Sequence, residues 1–214
     1  NISPYMYCAG NPIRYVDPDG RDAIVWITGN KIRIECDIYL YGSGATKQIA
    51  AQMQKDIDKV WGGKHSITHN NIKYDVTIDA SVSLYDGKEK NEPYIIFDEY
   101  NPFSRKNYIK VSDKCQRSYV SDHDEGFWRS MGRNGMTLEE DDPAPHEFGH
   151  LLGHPDKYTD ENGPFKGYEN NIMGSTNGKA EDKNFDIILK NIWSGYEEWI
   201  NNGNKGTFKY EINP

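Results

Sequence analysis

His146, Glu147 and His150 are the residues whose types and spacing could do chemistry. They lie in Pro145-His146-Glu147-Phe148-Gly149-His150-Leu151-Leu152-Gly153-His154-Pro155-Asp156, with the two histidines four positions apart. On a helix of about 3.6 residues per turn such a pair leaves one face, one turn apart, and both imidazoles can bind one ion. Glu147 can point at that ion's open position and take the proton from a water that the ion acidifies. Phe148, Leu151 and Leu152 fall on the opposite side, where they can pack into a core. Gly153 allows a left-handed turn that ends the helix, and Pro155 keeps the helix from resuming. The chain then doubles back to deliver a third ligand, Asp156, with His154 as a competing donor. The ion this donor set suits is Zn2+. The bland alternative is a buried amphipathic helix whose histidines are satisfied polar residues; the glycine, the further ligand-type residue and a later Met in a tight turn weigh against it.

The pattern HExxHxxGxxD resembles that of the metzincin clan of zinc metallopeptidases, HExxHxxGxxH followed by a Met-containing turn. His146, Glu147, His150 and Gly153 match position by position. Asp156 stands where most of the clan has His, as in its snapalysin-like members, and a carboxylate oxygen is an ordinary zinc ligand. Asn170-Asn171-Ile172-Met173-Gly174-Ser175 looks like the Met-turn, whose Met173 would floor the metal without binding it. Substrate-touching tyrosines that follow this turn in some metzincins have no counterpart at Gly174 or Ser175. Tyr158 and Tyr168 are both near enough in sequence to fill that role.

These residues need elements to hold them. Ala23–Ile27 and Lys31–Leu40 are rich in β-branched and aromatic residues, and Gly29-Asn30 between them signals a hairpin. Residues 45–61 carry Ile49, Met53, Ile57 and Val60 at helical spacing, ended by Gly62-Gly63: a packing helix with no chemistry of its own. Lys73–Leu84 alternates as a half-buried strand; Tyr94–Phe97, Tyr108–Val111 and Ser118–Val120 are shorter ones, with turns at Asp86-Gly87 and Asn101-Pro102. His65, His69 and His123 sit in polar sequence and read as surface residues. Asp122–Glu125 reads as a solvated acidic loop, since it lacks EF-hand spacing. Residues 126–142 read as loop, and Asp141-Asp142 as acids favoured near the start of the following helix. A last helix is expected over 184–201, with Phe185, Ile188, Leu189, Ile192, Trp193, Tyr196 and Trp199 as its apolar stripe. The fold class expected is α+β: a twisted mixed β-sheet, a packing helix, an active-site helix, a Met-turn and a C-terminal helix, the order a metzincin domain has.

The 214 residues suit one catalytic domain over 22–214, with 15 Tyr and 5 Trp supplementing a modest hydrophobic fraction of 36%. A net charge of −8 without a Lys/Arg run argues against a nucleic-acid groove. Cys8, Cys36 and Cys115 are too few and too scattered for a disulfide scaffold or a metal cluster, and no segment approaches the roughly 18–20 apolar residues of a membrane span. Residue 1 is Asn and not Met, which points to a longer parent chain. Residues 1–21 are full of turn formers, including Asn11-Pro12 and Asp17-Pro18-Asp19-Gly20. With Tyr5-Met6-Tyr7, they resemble the end of an Rhs (YD-repeat) core, which implies a C-terminal effector or toxin in a secreted or otherwise exported parent.

The two resemblances together imply a zinc-dependent endopeptidase acting on a protein or peptide substrate, with an Rhs core on its N-terminal side and a cognate immunity protein as partner. One of the strands between Tyr94 and Val120 would pair with an extended substrate. The alternatives are a non-catalytic zinc-containing binding module and a zinc amidase acting on cell-wall peptides.

Overall fold

Lys31–Tyr41 (β2) alternates so strictly that Ile32, Ile34, Cys36, Ile38 and Leu40 all face one side and are all buried. The computed structural model describes residues 23–85, 106–120 and 125–212, and β2 is the axis of its mixed sheet. Along one edge β2 pairs in parallel with Ile72–Leu84 (β4), which pairs antiparallel with His65–His69 (β3). Its other edge is shared. Ala23–Thr28 (β1) runs antiparallel to Lys31–Cys36, and Lys106–Ser112 (β5) runs parallel to the remainder, Asp37–Tyr41. Beyond β5 the sheet continues through parallel Glu125–Arg129 (β7) to antiparallel Tyr119–Val120 (β6), and beyond β1 it ends in antiparallel Thr207–Ile212 (β10). A two-residue hairpin, Tyr158–Thr159 (β8) with Gly163–Pro164 (β9), stands apart.

Helix Lys47–Trp61 (α1) begins at Thr46, whose hydroxyl accepts the Ile49 N–H at 3.2 Å. Its buried stripe is Ala50, Met53, Ile57 and Trp61, laid against the inner face of the sheet, with Ile49 and Val60 as half-buried flanks. The short helix Ala144–Leu151 (α2) follows, then Asp182–Leu189 (α3) and Ile192–Asn201 (α4). The architecture is α+β, as expected from the sequence. No helix among the described residues is long and apolar enough to cross a membrane.

Several expectations are corrected. Residues 126–142 are not all loop, because β7 inserts beside β5, with Trp128 fully buried. Gly126 hides this strand in sequence, yet the sheet demands it: a Cβ there would overlap Ile109 Cδ1. The last helix is two, broken at Lys190-Asn191 so that one apolar stripe bends around the core. His65 and His69 belong to β3 and are half-buried rather than free surface residues. His65 packs 4.4 Å from the Phe185 ring, and His69 stacks at 4.0 Å on Trp193 while bonding Glu197 at 2.7 Å. Strand β10 has no counterpart in the sequence reading. Cys36 and Cys115 are both buried. The Rhs-like strip, the strand at Tyr94–Phe97, the turns at Asp86-Gly87 and Asn101-Pro102, His123 and the acidic loop before Glu125 lie outside the described residues.

Candidate metal centre and cleft

Helix α2 is short, and its fixed ends hold its two histidines. At its C-terminus Gly153 takes φ 85°, and the bonds Gly153 N to His150 O and His154 N to Gly149 O, both 2.9 Å, close the helix in a Schellman arrangement. Beneath it Trp61, the last residue of α1, donates Nε1–H to the Pro145 carbonyl at 2.7 Å and meets Phe148 edge-on with ring centroids 5.5 Å apart. The packing helix therefore sets the height and tilt of α2. That contact spans 84 residues and leaves no local signal.

After Gly153 the chain turns back, and Asp156 Oδ1 comes to 3.1 Å from His146 Nε2 and 3.3 Å from His150 Nε2. His154, the competing donor, is 3% exposed; its ring lies 5.9 Å from Trp61, and burial first, then His150 and Lys157, pulls its pKa down to about 4. The three donor atoms of His146, His150 and Asp156 lie within 4.8 Å of one another, and this group could hold a metal ion.

The hydrogen bonds of the two rings test how well a cation fits. His146 Nδ1 bonds the Ile172 carbonyl at 2.8 Å, and His150 Nδ1 bonds the His154 carbonyl at 2.7 Å. A carbonyl only accepts, so both Nδ1 atoms carry the proton, and a ring in its neutral form turns an Nε2 lone pair toward Asp156. Two lone pairs and a carboxylate oxygen repel unless a positive charge lies among them. Protonating both rings would set two imidazolium ions side by side, their centroids 4.9 Å apart. One divalent cation satisfies all three acceptors. A tetrahedral zinc with bonds of about 2.0–2.1 Å separates its ligand atoms by roughly 3.3 Å, close to the two distances observed.

The Met-turn-like segment does two jobs here. Its Ile172 carbonyl fixes the tautomer of His146, as second-layer acceptors do for metal-binding imidazoles. Its Met173 is fully buried under α2, and Met173 O accepts the Lys157 N–H at 2.8 Å, which ties down the return loop beside Asp156. Buried Asn171 pins the turn: Oδ1 accepts from Met173 N at 3.0 Å, and Nδ2 donates to Glu181 Oε2 and Asn184 Oδ1, both at 2.7 Å. Gly149 makes room for Met173, since a Cβ there would overlap the sulfur and come within 3.1 Å of Trp61. Gly149→Ala therefore loses about 1–2 kcal/mol of stability in chemical denaturation, the overpacking cost exceeding the gain in helix propensity.

Glu147 is 6% exposed, and its Oε2 has no hydrogen-bond partner. Burial pushes its carboxyl pKa up, against the two flanking histidines, which lower it. It lines a cleft of about 710 Å³ whose walls also include Tyr119 and Val120 of β6 and Gly174, Ser175 and Thr176. Tyr158 lines the cleft, its ring 5.9 Å from that of His146, and Arg117 lines the same cleft nearby. Tyr168 does not; its ring lies beneath the Lys183 and Lys157 ammonium groups, at 4.4 and 5.7 Å. Sequence reasoning missed Arg129 and Arg133, which also line the cleft and converge on Asp141. Asp141 thus serves two arginines rather than the start of α2, whereas Asp142 does accept the Ala144 N–H there, at 2.8 Å.

Compared with known proteins, the chain matches no family model, no curated protein and no solved structure.

Proposed function

We propose that the chain is a zinc-dependent endopeptidase of metzincin type, with His146, His150 and Asp156 holding the ion and Glu147 as the catalytic base. The observation that carries this reading is the facing of two imidazole lone pairs and the Asp156 carboxylate, which only a cation or two added protons reconcile. Zinc, when bound, supplies Lewis acidity that acidifies a water and polarises a peptide carbonyl.

The chain's own residues supply the rest. Glu147 takes the proton of the attacking water and returns it to the leaving amine; its burial and its unpartnered Oε2 suit a group that must both accept and donate. Tyr158, on the cleft wall beside His146, offers a hydroxyl toward the carbonyl oxygen of the substrate. Strand β6 has one antiparallel partner among the described residues and borders the cleft, so its outer edge can take an extended peptide as a further strand. The buried, unpartnered Glu147 weighs against a non-catalytic binding module. The Rhs-like residues 1–21 extend the reading to the effector end of an exported parent.

Elemental analysis of the purified chain tests the site. Wild type carries about one zinc per chain, and His150→Ala and Asp156→Ala each lose it. A wild type without metal affinity overturns the proposal, and zinc retained in Asp156→Ala removes Asp156 from the ligand set.

A further inference from the structure

We infer that Arg133, backed by Arg129, is a specificity subsite for a carboxylate of the bound peptide, a reading that rests on the peptidase function above. Both side chains line the cleft that holds Glu147 and Asp156. Both also converge on one acid: Asp141 accepts from Arg133 N at 2.6 Å, Nε at 3.0 Å and Nη2 at 2.7 Å, and from Arg129 Nη1 and Nη2 at 3.3 Å. Two guanidinium groups on one carboxylate leave a surplus positive charge.

The surplus is not discharged nearby. The Arg129 side chain is 11% exposed and that of Asp141 5%, so water solvates that pair poorly. Other acids around it are turned elsewhere. Glu140 accepts from Thr137 N and Oγ1 at 2.8 and 2.9 Å. Asp142 accepts the Ala144 N–H, and although Arg129 lies near enough to favour its charge, burial and Asp56 push it toward the neutral form. Asp160 stands 3.6 Å from Arg117. Arg133 is half exposed, and Thr176 Oγ1 steadies its Nη2 at 2.9 Å, while Nη1 has no acceptor among the described residues. With Nε and Nη2 engaged by Asp141 and Thr176, the guanidinium is open at Nη1, which can donate a charge-assisted N–H to a carboxylate oxygen. The net charge of −8 makes this a local feature rather than part of a general positive field.

The carboxylate can come from an Asp or Glu side chain near the scissile bond or from the C-terminus of the peptide. A fluorogenic peptide set separates these: Glu or Gln is placed in turn at each of the three positions on either side of the bond, each peptide with a free or an amidated C-terminus. The zinc-loaded chain should prefer Glu at one position by about 10- to 100-fold in kcat/KM, as charge-assisted hydrogen bonds do. The preference should collapse in Arg133→Gln. Isothermal titration of the same peptides into Glu147→Gln protein reads binding without turnover and should give the same ranking. A preference for the free acid over the amide, abolished by Arg133→Gln, also supports the subsite and assigns it to the chain end. Arg133-dependent binding without hydrolysis in wild type keeps the subsite and overturns the peptidase reading. Equal binding and equal cleavage of Glu and Gln peptides, with indifference to the terminus, overturn the subsite while leaving the peptidase reading intact.

Discussion

Glu147→Gln lowers peptide hydrolysis by about 10²–10⁴-fold and leaves zinc content at the wild-type level. The two halves of this expectation have separate grounds. Turnover falls because an amide has the size of the carboxyl but cannot take up and return a proton. Metal content holds because the three donor atoms of the proposed site belong to His146, His150 and Asp156, each fixed by its own contacts, and Glu147 is not among them. The fold should also hold, since Glu147 Oε2 makes no hydrogen bond that the amide would break. Hydrolysis rates on an unfolded protein substrate, measured beside zinc content and melting temperature, check all three. Turnover equal to wild type removes Glu147 from the chemistry, and lost zinc would instead make it a ligand.

Local patterns in the chain revealed its local structure. The spacing of His146 and His150, the positive φ of Gly153 and the hairpin at Gly29-Asn30 each follow from a few neighbouring residues and the steric rules that bind them. Strand β3 carries such a signal as well. Asn70 and Asn71 both adopt positive φ, 49° and 63°, the demand of a tight hairpin turn that Asn meets better than most residues. Reading Asn-Asn as that turn would have placed His65–His69 in the sheet rather than on the surface.

What joins distant parts of the chain was not legible. Trp61 reads as the end of an amphipathic helix, and nothing within it announces a hydrogen bond to Pro145. The Ile172 carbonyl fixes His146, but every residue has a carbonyl, so composition cannot mark the one that matters. Residues 126–142 read as loop in sequence, with nothing to single out Arg129 or Arg133; the insertion of β7 beside β5 fixes Arg129, and both line the cleft.

Asp141 and Asp142 are indistinguishable in sequence, yet they should respond to pH with opposite sign. The Arg133 hydrogen bonds hold Asp141 down to about 2, against its burial, with Arg129 adding to the pull. Its stabilisation is therefore present above the unfolded carboxylate range near 3.8 and is lost as pH falls through about 2. Asp142 is pushed up to about 8, first by burial, with Asp56 adding to the push and the Ala144 N–H and Arg129 opposing it. Between those limits the folded chain keeps a proton that the unfolded chain has released. Stability then falls by roughly 1.4 kcal/mol per pH unit, an upper bound of about 4 kcal/mol at pH 7. Asp142→Asn should recover about 2–4 kcal/mol at pH 7 and little at pH 3, where wild type is protonated in both states. The amide keeps the Oδ1 that accepts the Ala144 N–H, so the start of α2 and the position of His146 should not move. Urea unfolding of both proteins from pH 3 to 8 checks this. Curves that stay parallel across that range would mean that Asp142 is ionised in the folded chain, its charge borne by Arg129 and the helix start.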